Sequence, residues 1–215
     1  MTVVSLRGAV VLLGGFPALA GADLGVDRGE VVLVSGPNGA GKSTLLHLCA
    51  GLLRPAAGQA EVLGCDLDAD RARVRRRVGL LGHDTSLYGD LSAAENLRVW
   101  ARACRVGAAD VGGALDRLGL PARLRDVPAA RLSAGQRRRV ALAAIVVRRP
   151  ELWLLDEPHA GLDVEGREIL DDIVTAAAAA GATVVLASHE AGPAAGLATR
   201  TLAMAGGTLT PGPTT

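Results

Sequence analysis

Nine consecutive residues constrain this chain more than any others: Gly36-Pro37-Asn38-Gly39-Ala40-Gly41-Lys42-Ser43-Thr44. They follow Val31-Val32-Leu33-Val34, an apolar run that reads as a buried strand. They precede Leu45-Leu46-His47-Leu48-Cys49-Ala50-Gly51, which reads as a helix stopped by glycine. A glycine-rich loop between a strand and a helix is a phosphate cradle. Small residues let the backbone turn tightly, several N–H groups converge on one anion, and the helix dipole adds its positive end.

The spacing Gly36-x4-Gly41-Lys42-Ser43 fits the P-loop pattern. In that pattern Lys42 reaches the β- and γ-phosphates of a nucleotide and the Ser43 hydroxyl binds Mg²⁺. Lys42 is the only lysine in the chain. A compact ammonium sits among phosphate oxygens where a broad guanidinium does not fit the same way.

Length and charge narrow the classes. The 215 residues suit one α/β domain with a helical insertion, and 49% apolar content supplies a sizeable core. A formal net charge of +1 offers no basic excess for nucleic acid, and 2% aromatic content leaves little for base stacking. The apolar runs fall short of the roughly 18 residues that a spanning helix needs. Residues 1–13 alternate like a strand, so no signal peptide is expected. Cys49, Cys65 and Cys104 are scattered and odd in number, and read as reduced core thiols.

In chain order, residues 2–13 and about 18–26 read as antiparallel strands around a turn at Gly14-Gly15-Phe16-Pro17. A short strand is expected at 60–63. The arginine-rich run at 69–77 reads as a solvated helix face, with a phosphate or partner site as the alternative. Residues 78–81 form a strand. Ser92 and Glu95 make a capping box at the start of a helix. Helical patterns continue at 93–105 and 108–119, residues 123–131 are irregular, and a long helix follows Ser133 up to Pro150. Strands at 152–155 and 183–187 flank a helix at about 164–180, two edge strands finish the chain, and the tail from Pro211 reads as disordered.

The chemistry-bearing residues fall at the expected strand ends. Asp156 and Glu157 end an apolar strand, where ligands bind in open α/β sheets. One carboxylate can help hold Mg²⁺ and the next can polarise an attacking water. Ser188-His189 ends the next strand, so that His189 can contact the γ-phosphate. Leu132-Ser133-Ala134-Gly135-Gln136 opens a helix and reads either as a second anion site, serving a nucleotide held by another chain, or as a plain N-cap made by Ser133.

With these four stretches and Gly161-Leu162-Asp163 in order, the chain resembles the ATPase subunit of an ATP-binding-cassette (ABC) transporter over almost its whole length. Residues 36–44 resemble the Walker A motif and 132–136 the family signature. Residues 152–157 resemble Walker B with its catalytic glutamate, Gly161-Leu162-Asp163 the D-loop, and His189 the switch histidine. The resemblance implies an α/β P-loop NTPase of ABC ATPase fold. A RecA-like core with an antiparallel β subdomain would occupy 1–84 and 151–215, and an inserted helical subdomain 85–150. It implies ATP and Mg²⁺ as ligands, Ser43 and Asp156 at the metal, and Glu157, His189 and His83 in catalysis. Gly36, Pro37, Asn38, Gly39, Ala40, Gly41, Lys42, Ser43 and Thr44 would bind nucleotide, joined across a homodimer or pseudo-dimer by Ser133, Gly135 and Gln136. It further implies integral membrane subunits as partners, no nucleic acid, and a peripheral place on the cytoplasmic face of the cell membrane.

Some positions depart from the family pattern. His83 stands where a glutamine usually touches Mg²⁺ and water; a neutral imidazole offers one donor and one acceptor there. The position that stacks on adenine falls at or near Leu13, with Phe16 the nearby ring, and Ala134 replaces a glycine. Leu81-Gly82-His83, residues 91–97, residues 132–143 and residues 151–158 are similar to the haem-exporter ATPases of cytochrome c maturation, although Asp84-Thr85-Ser86 departs from the Gln-Pro-Gly expected there. ATPases of other exporters, and a soluble non-transport ABC ATPase, are the alternatives. The surface near Leu87, Tyr88 and Asn96 is expected to dock the membrane subunit.

Overall fold

A computed structural model describes residues 1–105, 107, 109–189 and 191–212. The chain packs as two compact units. The first is Met1–Leu80, Glu151–Pro158 and the residues from Val174 onward; the second is Leu81–Pro150 with His159–Ile173.

The first unit is α/β, as the sequence led us to expect. Four antiparallel strands, β1 (Thr2–Leu13), β2 (Phe16–Asp27), β4 (Ala57–Val62) and β5 (Cys65–Asp66), form one sheet in the order β2-β1-β4-β5. The second sheet runs β10-β9-β3-β8-β7-β6. Its members are β3 (Val31–Ser35), β6 (Val78–Leu81), β7 (Leu152–Asp156), β8 (Thr183–Ser188), β9 (Arg200–Ala205) and β10 (Thr208–Pro211). Strand β3 lies parallel to both β8 and β9, and β7 is parallel to β8. Every residue of β7 and β8 is buried, which is why these strands read as continuous apolar runs. The helix α1 (Lys42–Cys49) sends Leu45, Leu46 and Leu48 into a core shared with Val4, Leu19, Val34 and Leu154.

The second unit is helical. Helices α3 (Ala93–Cys104), α4 (Ala109–Arg117) and α5 (Ala134–Arg148) pack on one another. Leu97 and Ala101 of α3, one turn apart, are buried, and α5 is buried on nearly every side from Arg138 to Ile145. The Arg148 guanidinium lies 4.9 Å over the Trp100 ring. Two short 3₁₀ turns, Ala122–Leu124 and Ala129–Arg131, occupy the stretch read as irregular. The remaining helices are α2 (Arg71–Arg77), α6 (Val164–Ala179) and α7 (Ala191–Ala195).

Several local expectations need correction. The β1–β2 turn is Gly14-Gly15 alone, both at positive φ, and Phe16 and Pro17 already belong to β2, paired with Leu13 and Leu12. Strand β4 begins three residues earlier than expected. Pro211 ends β10 and the Gly212 N–H donates to Thr201, so ordered structure reaches at least Gly212; residues 213–215 lie outside the described residues. Cys104 is exposed, whereas Cys49 and Cys65 are buried, and burial pushes the Cys49 thiol up to about 12. The arginine run is only partly a solvated face. Arg77 grips Glu151 with two bonds of 2.6 and 2.9 Å, and Arg75 donates to the Gly51 carbonyl.

Candidate functional site

In the first unit the candidate residues gather at the C-terminal ends of β3, β8 and β7. Ser35 pairs in register with Ser188, and Asp156 with Ala187. The loop 36–41 leaves β3 and turns into α1 at Gly41, whose φ of 110° suits glycine. Space also selects glycine here. A Cβ at Gly36 would come within 2.2 Å of the Met204 carbonyl oxygen, and one at Gly41 within 2.6 Å of that of Ala18. The loop is braced from behind by the β9–β10 turn, where the Gly207 N–H donates to Ala40 and its carbonyl accepts from Ala20. No side chain caps the start of α1, so its first-turn N–H groups are left for an anion held in the loop.

Lys42 is 6% exposed, and its ammonium donates to the carbonyls of Gly36 at 2.7 Å and Pro37 at 3.1 Å. A cation is thereby held inside the loop. Ser43 is exposed and Thr44 buried, while Pro37, Asn38 and Gly39 form the exposed crown and Ala40 is buried beneath it.

Asp156 is 4% exposed at the last position of β7. Glu157 follows with φ 46°, a left-handed backbone for a residue with a Cβ, and its N–H donates to the Ala187 carbonyl. Its carboxylate is gripped at both oxygens. Oε1 accepts from the His189 N–H at 2.7 Å and lies 2.9 Å from His189 Nδ1, and Oε2 accepts from the Ser188 hydroxyl at 3.2 Å. Hard oxygen donors such as the Ser43 hydroxyl and the Asp156 carboxylate could hold a magnesium ion.

The other candidates belong to the second unit. Ser133 and Gln136 form a reciprocal capping box at the start of α5. Gly135 is required for packing, because a Cβ there would lie 2.6 Å from the Gly161 carbonyl oxygen. The Gln136 carboxamide is engaged in its own cap at 2.9 Å. His83 is exposed in the loop after β6. The preceding Gly82 carbonyl accepts from Arg138, a guanidinium only 5% exposed. Of the expected docking residues, Tyr88 is exposed and Leu87 half-buried, but Asn96 is 1% exposed and works inward. It accepts from the Tyr88 N–H and donates to the carbonyls of Tyr88, Leu91 and Ser92. In the first unit, Leu13 and Phe16 pair at the exposed tip of β1–β2.

The sequence reading overlooked how the 159–163 loop is braced. Arg139 on α5 donates to Asp163 at 2.6 Å and to the carbonyls of Leu118 and Gly119. That guanidinium, with the Gly166 N–H, holds the Asp163 carboxyl below its usual range. His159, 8% exposed, meets Asp171 at 2.7 Å. The available signal was the run Val140–Val147, apolar on every side of the helix, which marks a buried helix and draws the adjoining arginines inside.

Comparison with known proteins follows the same lines. The family model described as ABC transporter matches residues 19–160. The cytochrome c biogenesis ATP-binding export protein CcmA of Paramagnetospirillum magneticum is 42% identical over 190 residues, 86% of this chain and 87% of that protein. The daunorubicin resistance ATP-binding protein DrrA3 of Streptomyces coeruleorubidus is 40% identical over 87% of this chain and 60% of its own length. Among solved structures, an ATP-binding subunit of an ABC transporter superposes with a TM-score of 0.89 at 26% identity, covering 98% of this chain and 90% of that one. A bacterial ABC transporter cassette solved as a dimer gives 0.88 at 25% identity, covering 96% of each.

Proposed function

This chain belongs to the ABC transporter family, and from that premise we propose that it is the ATP-binding and ATP-hydrolysing subunit of an exporter serving cytochrome c biogenesis. The observation that carries the ATPase reading is the grouping at three adjacent strand ends: a braced phosphate loop with Lys42, a buried Asp156, and Glu157 fixed at both carboxylate oxygens. Residues 36–44 cradle the phosphates and Lys42 neutralises their charge. Ser43 and Asp156 would hold Mg²⁺, which when bound would supply Lewis-acid polarisation of the phosphoryl oxygens. Glu157 accepts a hydrogen bond from the attacking water and orients it in line with the γ-phosphate, and His189 keeps that carboxylate and the γ-phosphate in register. His83, at the position where the family pattern has a glutamine, would serve as a sensor of the nucleotide. Ser133, Gly135 and Gln136 serve the nucleotide of a second copy, giving a homodimer or pseudo-dimer, as in the dimeric cassette.

The export reading rests on the 42% identity to a cytochrome c biogenesis export protein, with haem the cargo that the sequence resemblance implies. Among the described residues no helix is long and apolar enough to cross a membrane. Separate integral membrane subunits, which the sequence resemblance implies, would supply the path for cargo. The chain would work from the cytoplasmic face of the membrane. A second reading, an exporter ATPase for another substrate, is favoured by the 40% identity to a daunorubicin resistance protein.

Two measurements test this. Lys42→Ala should lower Mg-ATP turnover by roughly a hundredfold or more; undiminished turnover would sink the ATPase reading. Cells lacking the chain should lose c-type cytochromes and regain them with the wild-type chain but not with Lys42→Ala. Normal cytochromes combined with drug sensitivity would select the second reading.

A further inference from the structure

We propose that Ser188 is a positioning residue for Glu157, one that ties the phosphate loop and the hydrolytic carboxylate together through a single amino acid. The proposal rests on the ATPase reading above. Ser188 is the last residue of β8, in register with Ser35 at the end of β3, and is 8% exposed. Its carbonyl accepts from the N–H of Gly36, the first residue of the phosphate loop, at 3.3 Å. Its hydroxyl donates to Glu157 Oε2 at 3.2 Å. The two halves of one residue thus touch the two halves of the site.

The division of labour at Glu157 makes the hydroxyl consequential. His189 addresses Oε1 with its N–H and its ring, whereas the Ser188 hydroxyl addresses Oε2. A carboxylate held at one oxygen still rotates about its last carbon–carbon bond, where torsional preferences are broad. Held at both oxygens, its plane is fixed. The plane decides where a lone pair points, and therefore where a water accepted by Glu157 sits relative to the γ-phosphate. The left-handed backbone of Glu157 aims the side chain at this partner, and the bond from its N–H to the Ala187 carbonyl anchors that backbone to the same strand. A β-strand end carrying a hydroxyl residue is therefore part of the hydrolytic geometry without touching the nucleotide.

The test compares Ser188→Ala with the isosteric pair Ser188→Thr and Ser188→Val, measuring kcat, KM for Mg-ATP and the thermal midpoint. Thr keeps the hydroxyl and Val replaces it with a methyl of the same shape. Ser188→Ala and Ser188→Val should each lose roughly tenfold or more in kcat, as expected for removing a hydrogen bond to a charged group. KM should stay near the wild-type value, and Ser188→Thr should retain most of the turnover. Equal kcat in Ser188→Thr and Ser188→Val, or wild-type kcat in Ser188→Ala, overturns the proposal and leaves the ATPase reading standing. A loss of kcat that follows the thermal midpoint across all three variants shows a structural role and overturns it too. A wild-type chain that does not hydrolyse ATP overturns the ATPase reading itself.

Discussion

Glu157 keeps a left-handed backbone at φ 46°, which costs a residue with a Cβ on the order of 1–2 kcal/mol. The bonds to its N–H and to both carboxylate oxygens offset that cost. Glu157→Gln preserves the size and one acceptor oxygen but removes the negative charge that we propose orients water. We expect it to bind Mg-ATP with near wild-type affinity, by fluorescence titration, while turnover falls by roughly a hundredfold or more. Turnover within a few fold of wild type would remove Glu157 from the chemistry. The identity and place of this residue were legible, because an acidic pair after an apolar run marks a strand end in an α/β sheet. Its φ was not, since no local pattern announces a strained residue, and neither was the Ser188 bond, whose partners lie 31 positions apart.

Helix starts were the elements most openly written in the sequence. Ser92 with Glu95 was expected as a capping box and forms one, because four residues suffice to specify it. What remained hidden was short or tertiary. Strand β5 has two residues, too few for a period, and α7 contains Pro193, which reads as a breaker. Asn96 looked like a docking residue from its place in the chain, yet it is buried and holds the 88–92 turn by four bonds. Asn96→Ala removes all four side-chain bonds and leaves the Tyr88 N–H without its partner, while the carbonyls of Tyr88, Leu91 and Ser92 keep the N–H groups of Leu91, Ala129 and Asn96 as donors. It should cost about 2–3 kcal/mol of unfolding free energy in urea and speed hydrogen exchange at the Tyr88 amide. The tie between α5 and the 159–163 loop carries a pH signature. Asp163 has a carboxyl lowered in the fold by Arg139, so its stabilisation is present above the ordinary aspartate range and is lost as pH falls through the lower folded value. The thermal midpoint of Asp163→Asn should lie below wild type at pH 7, and the gap should close in acid below the usual aspartate range. A gap that persists there would deny the charge a role.

At the scale of the whole molecule, the α/β class and the core were legible because buried parallel strands and the phosphate loop have distinctive spellings. The division into two units was less so, since His159–Ile173 belongs with a segment that ended at Pro150. The proposed two-copy assembly rests on two candidate anion sites. Among the described residues there is one phosphate loop, at the start of α1. The start of α5 is a second place where helix N–H groups and a hydroxyl meet, and its capping box already satisfies Ser133 and Gln136 reciprocally. The remaining first-turn N–H groups of α5 can meet an anion, and the glycine at 135 brings the backbone within reach of whatever packs there. A single bound nucleotide has its phosphates in the first loop and does not need the second. A nucleotide carried by another copy would use it under our proposal, and two copies would then exchange the same surfaces, as a two-fold dimer requires. Hydrolysis would dissolve such a pair, so the variant to examine is Glu157→Gln, which binds without turning over. With saturating Mg-ATP its mass by light scattering should double, and with Mg-ADP it should not. Ser133→Arg in the same background places a bulky side chain at the α5 start and should return the mass to that of one chain while leaving ATP binding to the phosphate loop intact. A Glu157→Gln chain that remains single across a wide concentration range with Mg-ATP would place Ser133 and Gly135 among purely structural residues.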